Sequence, residues 1–112
     1  MHRVVNTREQ TSTEFVACFT SSAELGRPPR TGSPEEIFTL IHRGISCYNT
    51  LRQAQKKALA MRLGDYVAVV ELQPGRGVCL AEWGGRGHMT VWYDASDLAA
   101  MTVDIIAVRL GA

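Results

Sequence analysis

Apolar residues form several short runs along the chain, and their spacing predicts strands. Residues 14–20 are apolar on both faces of an extended chain, which is typical of a strand in the centre of a sheet. Residues 66–72 form a second apolar run, and the turn at 73–77 contains two glycines and a proline. Shorter strands are predicted at 45–48, 77–83, 88–94 and 103–110, and residues 1–12 are expected to form an edge strand or a loose N-terminal arm.

Capping residues that precede regularly spaced apolar positions predict the helices. Ser33 stands before a proline and two glutamates, which indicates a helix that begins there and ends at Gly44. Thr50 opens a second helix with a capping-box pattern, and Asp94 or Ser96 begins a third, short one. The core-facing stripe of the second helix is expected to consist of Leu51, Ala54, Ala58 and Met61.

The predicted elements follow the order β-α-β-α-β-β-β-α-β, without an internal repeat. Strands joined by short turns in the second half of the chain favour antiparallel pairing. We therefore expect residues 1–112 to form a single α+β domain, in which two or three short helices pack on a mixed, mostly antiparallel sheet.

The composition is that of an ordinary globular domain, and it argues against several classes of partner. Hydrophobic residues make up 46% of the 112 residues, which is enough to form a core without disulfides or metals. Basic residues number 12 and acidic residues 11, so the basic excess typical of nucleic-acid-binding domains is missing and no nucleic acid partner is expected. The apolar runs are far shorter than the roughly 20 residues that span a bilayer, and the first residues lack the apolar region of a signal peptide. We therefore expect a cytoplasmic protein without membrane association.

The three cysteines, Cys18, Cys47 and Cys79, lie in apolar or strand-like segments and lack the spacing of metal ligands. Free cysteine in such surroundings packs as a small hydrophobic residue. The expectation is therefore three core thiols and no metal site.

The densest group of chemically useful side chains lies in residues 82–88, where three glycines occur within four positions. Glycine allows the backbone to approach a ligand closely. Trp83 offers a stacking surface, Arg86 a guanidinium suited to phosphate, and His88 a group that titrates near neutral pH. These residues predict a nucleotide-binding cleft, and the alternative is a glycine-rich hairpin that they merely flank.

Two nucleophile patterns indicate a small hydrolase as a further alternative. Cys47 stands three residues before the second helix, with His42 or His88 as the base. Ser46, His88 and Asp94 permit a Ser-His-Asp arrangement, although the chain contains no G-x-S-x-G motif.

Isolated charges indicate a third class of function. Glu71 and Glu82 fall within predicted strands, where a carboxylate is either functional or simply the exposed polar position. Arg27 and Arg30 flank two prolines in the longest irregular stretch, where they either bind an acidic partner or keep a loop soluble. Together with exposed sheet edges, such a loop is typical of a non-enzymatic interaction module of the antitoxin, immunity or adaptor type. A homodimer through an edge strand is also compatible with the sequence.

Part of the chain resembles the ADP-ribosyltransferase-like fold. The resemblance rests on the segment GISCYNT at 44–50, the helix with small residues that follows it, and the strand GDYVAVVEL at 64–72. The tail that begins with HMTVWYD is similar to the closing elements of such domains, so the resemblance extends over residues 44–72 and 88–108.

The resemblance implies a split sheet with a cleft that binds NAD. Ser46 and Tyr48 are then expected on the strand that lines the nicotinamide pocket. The family also requires an Arg or His on its first strand and usually a catalytic Glu on a later one. The first strand predicted here contains Cys18 and no basic residue, and Glu82 is the candidate acid.

The main hypothesis is therefore a nucleotide-binding cleft in a divergent or degenerate ADP-ribosyltransferase-like protein, with NAD as the candidate cofactor. Its partner is a small nucleotide, or a protein if the chain is instead an interaction module. The catalytic candidates are Glu82 and His88, and the candidate cofactor-binding residues are Ser46, Tyr48, Trp83 and Arg86.

Overall fold

The computed structural model describes residues 1–20, 43–73, 75–82 and 87–109. The strands are β1 His2–Val5, β2 Ile45–Tyr48, β3 Tyr66–Val70, β4 Cys79–Glu82, β5 His88–Trp92 and β6 Thr102–Ala107. The helices are α1 Thr13–Ala17, α2 Leu51–Met61 and α3 Ala95–Ala100. The helix predicted to begin at Ser33, the Arg27–Arg30 pair, and the candidate residues His42, Trp83 and Arg86 lie outside the described residues.

The six strands form one sheet in the order β4-β5-β2-β1-β3-β6, and every neighbouring pair is antiparallel. The α+β class and the antiparallel sheet are therefore confirmed. The strand predictions at 45–48, 66–72, 77–83, 88–94 and 103–110 are confirmed as elements, with ends that differ by at most three residues.

Helices cover both faces of the sheet, because the interior strands are apolar on both sides. Val4 and Val5 are consecutive in β1 and belong to two different core clusters. One cluster lies under α1 and α3 and includes Phe15, Phe19 and Leu98. The other lies under α2 and consists of Val4, Tyr48, Ala54, Ala58, Val67 and Val108. Within the described ranges, no helix is long and apolar enough to cross a membrane.

Residues 2–5 form an interior strand, and the expectation of an edge strand or loose arm is wrong for them. β1 lies between β2 and β3, and its register with β3 extends from His2↔Val69 to Val5↔Tyr66. The sequence signal was weak because only Val4 and Val5 in this segment are strongly apolar. The backbone partners that place β1 in the sheet come from segments more than 40 residues away.

Residues 13–17 form helix α1, so the strand predicted at 14–20 is wrong. Ser12 caps the helix, and its side chain accepts a hydrogen bond from the Phe15 N–H. Phe15 and Phe19 stand four positions apart, both are buried, and their rings meet edge to face with centroids 5.3 Å apart. The hydrophobic periodicity of such a short apolar run is compatible with both a strand and a helix. The capping serine is the feature that distinguishes the helix.

Helix α2 begins as predicted, with a complete capping box between Thr50 and Gln53. Ala54 and Ala58 are buried against the sheet, and these small side chains allow the helix to pack closely on it. Met61 is 55% exposed, so its predicted place in the core is wrong. The helix ends at Met61 because Arg62 adopts a left-handed conformation with φ of 52°.

The capping role of Ser12 provides a direct test of α1. We expect Ser12→Ala to lower the free energy of unfolding by about 1 kcal/mol, because it removes the acceptor for an unpaired helix N–H. Urea denaturation measures the change, and Thr13→Ala, at the exposed next position, is the matched control. A Ser12→Ala variant as stable as the parent would contradict the helix assignment.

Candidate functional site

A groove lies at one end of the sheet. Its volume is about 410 Å³, and its lining is mostly apolar with two exposed polar side chains, Asn49 and Glu71. Strands β3, β5 and β6 each provide at least one lining residue, Met1 immediately precedes β1 and Asn49 immediately follows β2, so the groove runs across the strand ends. We call it the strand-end groove, and its lining consists of Met1, Asn49, Val69, Val70, Glu71, Leu72, Met89 and Val103.

A second cavity adjoins the first at Leu72, which lines both. This cavity has a volume of about 250 Å³ and lies along the connection from β3 to β4. The connection must cross the widths of β1, β2 and β5 to reach the far edge of the sheet. Within it, Gly75 and Gly77 adopt positive φ angles of 79° and 78°, and Arg76 between them is exposed. The connection therefore places an exposed cationic side chain, Arg76, beside the groove.

The face of the sheet under α2 carries a row of three ring side chains at the same end. The register aligns His2 of β1 with Tyr48 of β2, and Tyr48 with His88 of β5. Directly aligned residues of antiparallel strands project to the same face. The Tyr48 and His88 rings meet edge to face at 5.4 Å, and the His2 Nδ1 atom lies 3.4 Å from the Tyr48 carbonyl oxygen.

Burial favours the uncharged forms of His2 and Tyr48. The pKa of His2 is lowered, mainly by burial and then by the positive N-terminal amine. The pKa of Tyr48 is raised, again mainly by burial. The lowered pKa favours the neutral form of His2 at physiological pH.

β1 and β2 are joined at a single registered pair, His2↔Tyr48, whereas the other neighbouring strands pair over four or five residues. Arg3 bridges the opening between them. Its Nη1 donates to the Ser46 carbonyl oxygen at 2.7 Å, and its Nε donates to the Cys18 carbonyl oxygen at 2.8 Å. The guanidinium thus satisfies a β2 carbonyl at the place where the two halves of the sheet diverge.

The sequence-predicted residues divide between the two faces of the sheet. Ser46 alternates with Tyr48 and so shares the face of Tyr48 and His88, and its side chain is exposed. Glu82 aligns with Met89 and therefore projects to the opposite face. The two candidate catalytic residues, Glu82 and His88, consequently do not face one another.

Tyr48 is only 8% exposed, since it packs in the core cluster under α2. Its ring therefore supports the sheet rather than presenting a free stacking surface to a ligand. The acidic candidates are also separated: Glu71 follows β3 and Glu82 lies on β4, with β1, β2 and β5 between them. At roughly 4.8 Å per strand this separation is about 19 Å, so the two carboxylates do not act together.

Cys47 does not have the environment of a catalytic thiol. It is fully buried in the core, and burial raises its pKa to about 11. Cys18 is half-buried, with its Sγ donating to Asn6 Oδ1 at 3.1 Å, and Cys79 is exposed on β4. The prediction of three core thiols is thus confirmed for Cys47 and wrong for Cys79.

The structure does not assemble the Ser-His-Asp arrangement. His88 begins β5 and Asp94 follows its other end, so about 20 Å of extended strand separates them. The Asp94 carboxylate also caps α3 by accepting from the Asp97 N–H at 3.0 Å. Among the described residues, no group of three His, Cys, Asp or Glu side chains is placed to hold a metal ion.

Sequence reasoning missed His2, Arg3, Asn49 and Arg76 as site residues. His2 and Arg3 became visible only when β1 proved to be a strand beside β2. Asn49 follows β2 directly, and Arg76 stands between two glycines, so a search for polar residues at strand ends and in glycine turns identifies both.

Searches against protein-family models, curated proteins and solved structures found no match to this chain.

The cysteine environments lead to a direct chemical prediction. In the native protein at pH 8 we expect Ellman's reagent to label Cys79 rapidly and Cys18 slowly, and to leave Cys47 unlabelled, because a buried thiol with a pKa of about 11 forms almost no thiolate. Labelling after addition of urea should then reach all three thiols. The variant Cys79→Ser should lack the rapid labelling phase and the variant Cys18→Ser the slow one, which assigns each phase to its thiol. Rapid native labelling of Cys47 would contradict its burial and reopen the cysteine-hydrolase alternative.

Proposed function

We propose that this chain is a nucleotide-binding protein of the ADP-ribosyltransferase-like type, with NAD as its ligand. The observation that carries the proposal is the position of β1. The resemblance requires an Arg or His on the first strand beside the strand with the serine and aromatic residues. The first strand is β1, which contains His2 and Arg3 and lies next to β2 with Ser46 and Tyr48.

The divergence of β1 from β2 supports the same proposal. A split sheet with a cleft is what the resemblance implies, and these two strands share only the pair His2↔Tyr48. The strand-end groove adjoins that pair, since Met1 and Asn49 line it and are the immediate neighbours of His2 and Tyr48, and the strands diverge on the other side of the pair, toward Arg3 and Ser46.

The chemistry of the two cavities suits a ligand that combines flat rings with phosphate. The strand-end groove offers an apolar floor for a ring and the Asn49 side chain for an amide. Arg76, in the adjoining cavity, provides a guanidinium for a diphosphate. The positive-φ glycines on either side of Arg76 allow its backbone to move toward the ligand.

If the protein transfers ADP-ribose, a carboxylate must stabilise positive charge on the ribose. Glu71 lines the groove and is exposed to it, whereas Glu82 lies on the edge strand β4. We therefore assign this role to Glu71 in preference to Glu82. His88 contacts the Tyr48 ring on the face of the sheet under α2, and this contact stabilises the pairing of β2 with β5 beside the site.

The edge strand β4 favours a second candidate function, the protein-interaction module. All four of its residues are exposed, and Leu80 among them is 48% exposed. Its outer backbone edge has no partner strand among the described elements, so an extended segment of another protein could pair with it. Such a module would bind a protein and ignore nucleotides.

A titration of NAD distinguishes the two candidates. We expect saturable quenching of tryptophan fluorescence with a Kd between roughly 1 µM and 1 mM, the usual range for enzyme substrates. Free tryptophan at matched absorbance corrects for the inner-filter effect, and protein unfolded in urea controls for non-specific binding. A corrected signal that stays flat up to millimolar NAD would leave the interaction module as the better account.

Arg76 provides a test of where the ligand lies. Arg76→Ala should raise the Kd for NAD about tenfold, because it removes a charge-assisted hydrogen bond, and it should leave the melting temperature unchanged because Arg76 is exposed. Arg109→Ala, an equally exposed arginine after β6, is the matched control and should bind as the parent does. Equal affinities of the parent and the Arg76→Ala variant for NAD would show that the phosphate does not bind in this cavity.

A further inference from the structure

The sheet has two edge strands, β4 and β6, and side chains of the protein cover backbone groups of β6. The Gln55 amide donates to the Ala107 carbonyl oxygen at 3.1 Å. The Asp104 carboxylate accepts from the Ile105 N–H at 2.8 Å. These backbone groups of β6 are satisfied by side chains instead of by another strand, so this edge is protected against pairing with a further chain.

The hydrogen-bond pattern shows which backbone groups of β5 are directed at β4. The Asn49 N–H donates to the Gly87 carbonyl oxygen at 2.8 Å, and these two residues continue the register of β2 with β5. Hydrogen-bonded and non-hydrogen-bonded pairs alternate along an antiparallel ladder. From Gly87 onward, every second residue therefore bonds to β2. The residues between them, which include Thr90 and Trp92, direct their backbone groups at β4.

Leu80 and Glu82 consequently form the outer edge of β4. Cys79 and Ala81 align with the residues of β5 that point toward β4, so their backbone groups are used within the sheet. The N–H and C=O groups of Leu80 and Glu82 point the other way, where they have no backbone partner among the described residues. All four residues of β4 are exposed, and Leu80 is 48% exposed. This edge therefore presents an unpaired backbone together with a large apolar side chain.

We propose that β4 pairs antiparallel with β4 of a second copy of this chain, across a two-fold axis at Leu80. Each Leu80 then lies opposite the Leu80 of the other copy, and their outward N–H and C=O groups form hydrogen bonds with each other. In a two-fold dimer the same strand supplies both sides of the contact, so no other component is needed. The two six-stranded sheets join into one continuous sheet.

The charges that flank Leu80 favour a second copy as the partner. Arg76 and Leu80 line the same cavity, and alternation along β4 places Glu82 on the face of Leu80. With the axis at Leu80, Glu82 of one copy lies opposite Val78 of the other and diagonal to its Arg76, within reach of a long side chain. Opposite charges therefore meet on both sides of the axis, and the two leucines meet at its centre.

Other registers of the same two strands are less favourable. An axis at Ala81 brings the two Glu82 carboxylates into diagonal positions, where like charges repel. An axis at Cys79 shortens the paired segment, because Gly77 has a positive φ of 78° and ends the extended chain. The complementary charges and the length of the extended segment thus both place the axis at Leu80.

The dimer does not rest on the proposed function. Arg76 belongs to both proposals, as the phosphate ligand and as the counter-charge of Glu82, so self-association is measured without nucleotide. A chain that dimerises without binding NAD and a monomer that binds NAD are different outcomes, and each contradicts only one of the two proposals.

Sedimentation velocity of the full chain tests the proposal. The chain should associate reversibly in the micromolar range to a species of twice its mass of 12.3 kDa. Leu80→Lys should shift this equilibrium to the monomer, because it places two like charges opposite each other at the axis. Val103→Lys is the matched control, since Val103 is an exposed apolar residue of the other edge strand, and it should dimerise as the parent does. A monomeric parent, or equal losses in the two variants, would overturn pairing through β4.

A disulfide locates the axis. In a Cys79→Ser background, Leu80→Cys should cross-link two copies under mild oxidation. The Cα atoms of a hydrogen-bonded antiparallel pair lie about 5.5 Å apart, which is within the range that a disulfide spans. Val103→Cys in the same background should cross-link much more slowly. Equal rates of cross-linking at the two positions would contradict an axis at Leu80.

An exchange of charges tests the register. Glu82→Arg and Arg76→Glu should each weaken dimerisation severalfold, because like charges then lie across the axis. The double variant, which carries both substitutions, restores opposite charges and the net charge of the parent, and it should recover the parent's dimerisation. A double variant that dimerises as weakly as the single variants would overturn this register.

Discussion

The structure depends on the placement of β1 between β2 and β3, antiparallel to both. An interior strand must satisfy its backbone hydrogen bonds on two sides, and β1 does so fully with β3 and at only one registered pair with β2. Arg3 compensates for the lost ladder by donating from its side chain to the carbonyls of Ser46 and Cys18. One arginine thus connects both halves of the sheet and the end of α1.

The same placement organises the two cores. Because successive residues of a strand project to opposite faces, Val4 contributes to the core under α2 and Val5 to the core under α1 and α3. It also borders the candidate site, since the strand-end groove begins beside the pair at which His2 meets Tyr48. Removing β1 from the sheet would therefore remove both the packing of the two faces and the cleft.

Part of this arrangement was predictable from local sequence signals. Helix α2 is predicted by the capping box at Thr50 and by the small residues Ala54 and Ala58, and strand β3 is predicted by its apolar run. Each of these signals is local, because it involves only a few neighbouring residues of the chain. Helix α1 was missed because its five-residue apolar run, Phe15–Phe19, fits either the helical or the strand period, and only the serine cap distinguishes the two. These failures arise where local patterns are ambiguous and the tertiary partners decide.

The site was less accessible to sequence reasoning than the fold, because it depends on register. Ser46, Tyr48 and His88 lie on one face of the sheet, because of the alternation on β2 and the pairing with β5. Glu82 was grouped with them by proximity in sequence, but its alignment with Met89 turns it to the other face. His2 and Arg76 could not be connected to the site without knowing the strand order, which brings together segments from both ends of the chain.

The most direct test of the account is a map of ligand contacts by amide chemical shifts in the isotopically labelled protein during addition of ADP-ribose. The account predicts that the shifted amides cluster around His2 and Arg3, around Asn49, and from Glu71 to Gly77, with little change at the end of α2. Saturating shifts confined to other regions, or no shifts at millimolar ligand, would contradict a nucleotide site at the strand-end groove.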